Sequence, residues 1–139
     1  SGVHLPLRLL GAEHVLVVHA NGLDEIALDG PSFVVELKDG AITSYEIAPE
    51  DFGIERRPVD ALRADSPSAS LALVLEALEK PDSAAADMVS LNAGAAVYAA
   101  GVATSLANGV AMAQDAIAAG LARERLDELV RVSSLMGEP

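Results

Sequence analysis

The residues of this chain best suited to chemistry are Asp24 and Glu25. These adjacent carboxylates sit in a polar, glycine-containing loop, His19-Ala20-Asn21-Gly22-Leu23-Asp24-Glu25. The loop follows directly on the aliphatic run Val15-Leu16-Val17-Val18. In open α/β sheets ligands bind in the crevice beyond the carboxyl ends of the strands, so acids at that point are placed to meet one. Two hard oxygen donors suit Mg²⁺, which keeps several waters, takes one or two protein carboxylates and is often completed by substrate phosphates. Spacing alone leaves a second reading open, a solvated acidic turn in a chain with 21 acids to place.

Other candidates are few. His4, His14 and His19 are the three histidines, and none lies at metal-ligand spacing on an evident helix. His19 alone is near the acidic loop, where a hydrogen-bonded packing role is commoner than a general base. There is no serine-centred nucleophile elbow and no glycine-rich phosphate loop ahead of a helix, so the chain carries no anion cradle of its own. Asn92, in Leu91-Asn92-Ala93-Gly94-Ala95, falls inside a helical stretch among small residues. A buried amide bonded to backbone accounts for it better than a substrate contact does. Asp51-Phe52-Gly53 reads as a structural turn. No residue is assigned as nucleophile or general base.

Two layers of elements are expected to position the loop. Leu5 to Leu10 reads as the end of a helix stopped by Gly11, and Val15 to Val18, apolar on both faces, reads as a buried parallel strand covered by helices. After Ile26 to Leu28 comes a turn at Asp29-Gly30-Pro31. Phe33 to Lys38 and Ala41 to Ile47 are strand-like, and Asp39-Gly40 between them tolerates the positive φ of a two-residue hairpin. Pro49-Glu50-Asp51-Phe52-Gly53 closes the region.

From Ser66 the apolar period becomes helical. Leu71, Val74, Leu75 and Leu78 form one stripe, with Ser66 or Ser68 as N-cap. Helices are then expected over residues 84–100, ending at Gly101, over 105–119, ending at Gly120, and over 121–132. In the last of these Leu126, Leu129 and Val130 should face inward and Arg123, Glu124, Arg125 and Asp127 outward. The 16 alanines among the 39 residues from Ala84 to Ala122 suit helices whose axes approach closely.

Composition narrows the partners. Nine Lys and Arg against 21 Asp and Glu give a net charge of −12, which excludes the positive footprint that nucleic acid requires and disfavours an anionic membrane surface. The chain of 139 residues is 51% hydrophobic and 3% aromatic, so its core must be finely packed and aliphatic. It has no cysteine, which excludes a disulfide scaffold and a thiolate metal site and fits a cytosolic protein. No stretch approaches the roughly 18 consecutive apolar residues of a membrane span.

Taken in order, several stretches resemble anthranilate phosphoribosyltransferase of tryptophan biosynthesis. They are residues 11–18 (Gly-Ala-Glu-His-Val-Leu-Val-Val), Gly22-Leu23-Asp24-Glu25-Ile26, Gly30-Pro31, Val35-Glu36-Leu37-Lys38-Asp39-Gly40, Pro49-Glu50-Asp51-Phe52-Gly53 and Leu91-Asn92-Ala93-Gly94-Ala95. The resemblance spans nearly the whole chain and corresponds to about the C-terminal two fifths of a typical member. It implies part of a mixed-sheet α/β catalytic domain, of the phosphoribosyltransferase and nucleoside-phosphorylase type, with a β-hairpin and about four C-terminal helices. It implies a transfer of phosphoribosyl from phosphoribosyl pyrophosphate to anthranilate, with Asp24 and Glu25 holding a Mg²⁺ ion on the pyrophosphate, in a cytoplasmic enzyme that is a homodimer at full length.

Residues 1–139 would then be the C-terminal portion of that domain. The family's N-terminal helical domain, its Gly-Thr-Gly-Gly-Asp, Asn-Ile-Ser-Thr and Lys-His-Gly-Asn segments and its anthranilate-contacting arginine do not occur in the chain. The Arg63 to Ser70 segment departs from the family's usual Gly-Gly-Asp turn. The alternative is a non-catalytic acidic scaffold or assembly module derived from the same fold.

Overall fold

The computed structural model describes residues 14–20, 25–58, 62 and 66–137, apart from the side chains of 70, 129, 130 and 132–137. His4, the helix end expected at Leu5 to Leu10, and Asp24 with the loop before it lie outside the described residues. The architecture is α/β, a small antiparallel sheet followed by helices.

Three strands, β1 (His14–His19), β2 (Ser32–Lys38) and β3 (Ala41–Ile47), lie in the order β1-β2-β3. Asp39 and Gly40 take φ of 51° and 79°, so the expected hairpin joins β2 to β3, with Val35 opposite Ser44. This double positive φ is the twist that a two-residue loop needs to match its strands. The expectation of a parallel strand at Val15 to Val18 is corrected: β1 pairs antiparallel with β2, Val15 opposite Leu37 and Val17 opposite Val35. A parallel return takes a crossover of a dozen or more residues, usually a helix, and no helix occurs among the described residues between β1 and β2. The strand is also half-buried along Val15 to Val18, not fully buried.

Four helices follow: α1 (Pro67–Glu79), α2 (Ala84–Ala99), α3 (Leu106–Ala118) and α4 (Leu121–Gly137). The hydroxyls of Ser66, Ser83 and Ser105 cap the first three, accepting from the amides of Ala69, Ala86 and Asn108 at 3.1, 3.0 and 3.0 Å. Each satisfies one of the donors that a helix start leaves over. Gly101 and Gly120 stop α2 and α3 with positive φ, as expected. The last helix runs past Val132 to Gly137, since no Gly or Pro interrupts it earlier. The stripe expected on α1 is corrected in part. Leu71 and Val74 are 55% and 42% exposed, and the fully buried position of that helix is Ala77, whose small side chain permits a close approach.

The tightest contact joins α2 and α3. A Cβ on Gly94 would lie 2.5 Å from the Val110 Cα and backbone N, and one on Gly109 would run into the Gly94 carbonyl oxygen. The two backbones therefore touch, which only glycine allows. Between these helices and the sheet lies the aliphatic core, including Ile26, Leu28, Val34, Ile54, Leu91 and Val110.

One carboxylate ties the layers together. Glu36, buried on the central strand, accepts hydrogen bonds from the Tyr45 hydroxyl of β3 at 2.7 Å and the Tyr98 hydroxyl of α2 at 2.6 Å, and lies 2.9 Å from His14 Nε2 of β1. A buried charge is tolerable only when its lone pairs are met in this way.

Candidate functional site

The described part of the acidic loop starts at Glu25, and from there the chain turns abruptly inward. Glu25 is exposed, whereas Ile26 and Leu28 are 2% and 0% exposed. A segment that enters the core without regular structure needs partners for its backbone groups, and each one comes from a different element. The Ile26 amide donates to Asn92 Oδ1 at 2.9 Å, and Asn92 Nδ2 donates back to the Ile26 carbonyl at 3.2 Å. The Ala27 amide donates to Ser32 Oγ at 2.8 Å, and the Leu28 carbonyl accepts from the Arg57 amide at 3.2 Å. Three consecutive positions after Glu25 are thus anchored to α2, β2 and the segment following Phe52.

The Glu25 carboxylate makes no hydrogen bond or ion pair among the described residues, and it stands at the solvent edge of this anchored segment. Among the described residues no group of three or more His, Cys, Asp or Glu comes together as a metal cage. An exposed carboxylate such as that of Glu25 is the kind of hard oxygen donor that Mg²⁺ accepts singly or in pairs, its remaining positions being filled by water and phosphate oxygens.

The histidines stay out of this site in different ways. His14 is engaged with Glu36 and stacks edge-on against Tyr98, with ring centroids 4.7 Å apart, at the end of β1 away from the loop. His19 is exposed at the other end of β1, opposite the exposed Phe33. Asp51 proves structural, as expected: its carboxylate accepts from the Ala48 amide at 2.8 Å, and Gly53 closes the turn at φ 72°.

Two electrostatic clusters escaped the sequence reading. At Glu36, burial pushes the carboxyl pKa up, but the hydrogen bonds from Tyr98, Tyr45 and His14 together outweigh it and hold the group below its ordinary value. In return the Glu36 hydrogen bond, with burial, pushes Tyr98 up to about 12, and burial with the same carboxylate raises Tyr45. An acid at an inward-facing position of an otherwise apolar strand was the available signal. The second cluster lies in an open cavity of about 430 Å³ lined by residues that include Ile54, Arg57, Asp82, Asp87, Ser90 and Gln114. Arg57 lies 3.4 Å from the Asp87 carboxylate and donates to the Asp82 carbonyl at 3.2 Å. Burial raises the Asp87 pKa more than Arg57 lowers it. Glu25 does not line this cavity.

A family model described as "Glycosyl transferase family, a/b domain" matches residues 3–123. The chain belongs to this family. Within the glycosyl transferase a/b family it is 52% identical over 134 residues to an anthranilate phosphoribosyltransferase of Stutzerimonas stutzeri, covering 93% of this chain and 38% of that protein. It is 53% identical over 128 residues to the enzyme of the same name from Pseudomonas fluorescens, covering 88% and 37%. Among solved structures, the anthranilate phosphoribosyltransferase of Thermus thermophilus matches with a TM-score of 0.78 and 40% identity, covering 90% of this chain and 37% of that one. The Saccharomyces cerevisiae enzyme, solved in complex with PRPP and Mg, shares the fold with a TM-score of 0.71 and 19% identity over 87% of this chain and 35% of that one. The resemblance read from the motifs is therefore borne out. The chain spans under two fifths of the length of these a/b-domain relatives.

Proposed function

We propose that this chain is the C-terminal portion of the catalytic domain of an anthranilate phosphoribosyltransferase, and that Asp24 and Glu25 hold the Mg²⁺ that accompanies phosphoribosyl pyrophosphate. The observation carrying this reading is Glu25 itself, an exposed carboxylate without an ion pair among the described residues, leading a segment whose next three positions are anchored. The identities to bacterial anthranilate phosphoribosyltransferases support the substrates.

The reaction moves the ribose C1 from pyrophosphate oxygen to the anthranilate amine. The C1–O bond breaks, the C1–N bond forms, and the amine proton is released. Negative charge grows on the departing pyrophosphate, and a bound divalent cation neutralises it. What this chain would contribute is position: the backbone after Glu25 is anchored at Ile26, Ala27 and Leu28, so the Glu25 carboxylate would hold the cation with little reorganisation. The phosphate cradle and the anthranilate contacts belong to segments outside this chain. From the resemblance we also infer a cytoplasmic homodimer at full length, acting in tryptophan biosynthesis. Among the described residues no helix is long and apolar enough to cross a membrane.

The test is the fall of anthranilate fluorescence on adding phosphoribosyl pyrophosphate and Mg²⁺ to the full-length enzyme carrying Asp24→Asn with Glu25→Gln. The expected result is loss of Mg²⁺-dependent turnover. Full Mg²⁺-dependent activity in the double variant would refute the metal assignment, and no activity in the parent would favour the scaffold alternative.

A further inference from the structure

We propose that Asn92 is a positioning residue for Glu25, setting where its carboxylate sits and through it the affinity for a divalent cation. The inference rests on the reading of Asp24 and Glu25 as metal carboxylates. It adds a residue that touches neither metal nor substrate and lies 66 positions away from the one it holds.

Asn92 Oδ1 accepts from the Ile26 amide at 2.9 Å, and Nδ2 donates to the Ile26 carbonyl at 3.2 Å and to the Met88 carbonyl at 3.0 Å. A primary amide has two donors and one two-lone-pair acceptor, so both donors are used and the acceptor is engaged. The two bonds to Ile26 mimic a strand partner, pairing with both polar groups of one residue. The bond to Met88, one turn back on α2, fixes the side chain against its own helix.

Its effect on Glu25 follows from peptide planarity. The Ile26 N–H belongs to the peptide unit that contains the Glu25 Cα, carbonyl carbon and oxygen. Holding that N–H therefore holds the plane from which the Glu25 side chain departs. The anchor is itself rigid, because Gly94, two positions on, lies backbone to backbone with Val110 of α3. Because one side chain binds both polar groups of Ile26, Asn92 fixes the peptide units on both sides of the residue that follows the acid.

The test measures metal binding directly in the full-length enzyme, by electron paramagnetic resonance of free Mn²⁺ with pyrophosphate present, alongside a thermal melt. Residues that orient metal ligands indirectly typically change affinity by 10- to 100-fold. Because Asn92 acts through backbone, the expected weakening for Asn92→Ala is about tenfold, at the low end of that range. Glu36→Gln serves as the control: it lowers stability from a position away from the loop and should leave Mn²⁺ affinity at the parent value.

If Asn92→Ala does not fold, Asn92→Asp decides. It keeps the acceptor for the Ile26 amide, loses both donors and adds a negative charge that by itself would tighten a cation. Weaker Mn²⁺ binding in Asn92→Asp therefore reports lost position. Parent-like or tighter binding in these Asn92 variants, with Asp24→Asn/Glu25→Gln unable to bind, overturns the role of Asn92 and leaves the metal reading standing. Parent-like binding in the carboxylate double variant overturns both.

Discussion

Gly94→Ala places a methyl where α2 meets α3. The new Cβ would sit 2.5 Å from the Val110 Cα and N, about 1 Å inside ordinary contact, which begins at 3.4 Å. Both atoms are backbone, so no side chain can swing away and the helices must separate. Over-packing of a tight interface costs about 1–3 kcal/mol, and a clash against main chain belongs at the upper end. Alanine returns about 1 kcal/mol through its better helix propensity, leaving a net loss of about 2 kcal/mol. Gly30→Ala supplies the comparison, because a Cβ there meets nothing within 4 Å and the backbone does not require glycine. Its change should stay within about 0.5 kcal/mol. Urea unfolding of the full-length enzyme, read by circular dichroism, measures both. A lower midpoint for Gly94→Ala at unchanged slope is the expected result. A Gly94→Ala protein as stable as the parent would refute the backbone contact between α2 and α3.

The folded-state pKa of Glu36 is lowered from 4.5, so the stability it contributes is present above that value and is lost as pH falls through the lower folded one. Glu36→Gln, which leaves buried hydroxyls competing for one acceptor, should cost about 1–3 kcal/mol at neutral pH. Its melting temperature should fall less than the parent's between pH 5 and pH 3; parallel profiles would sink the argument. Gly40→Ala forces a Cβ into the left-handed region at φ 79° and should cost about 1–2 kcal/mol in thermal melts, without altering Mn²⁺ affinity.

What could be read from the sequence was what is local. Asp39-Gly40 specifies its turn through the φ that those two residues tolerate, and the hairpin appeared where expected. Ser66 and Ser105, Gly101 and Gly120 mark helix ends by bonds and angles spanning a few residues. The direction of β1 was not legible, because an aliphatic run records burial and not the direction of its partner. Leu71 and Val74 fit a helical stripe, yet periodicity does not say whether a described neighbour covers it. Asn92 was read correctly as a backbone-bonded amide, but nothing nearby in sequence names Ile26 as its partner. Glu25 was singled out by type and by motif. The anchoring of the three positions after it, by Asn92, Ser32 and Arg57, exists only in three dimensions.

Two hydrogen-bonded links to α2, from Glu36 to Tyr98 and from Ile26 to Asn92, span 62 and 66 residues. The β2–β3 hairpin closes over two residues and each helix over its own turns, so these pieces gather early, at little cost in chain entropy. The long links need α2 docked: without it the Glu36 carboxylate lacks one of its donors and the Ile26 backbone groups lose their Asn92 partner. The peptide that carries Glu25 is therefore held where the two halves of the chain meet. A cation bound at Glu25 in the folded chain and not in the unfolded one would stabilise that junction by mass action.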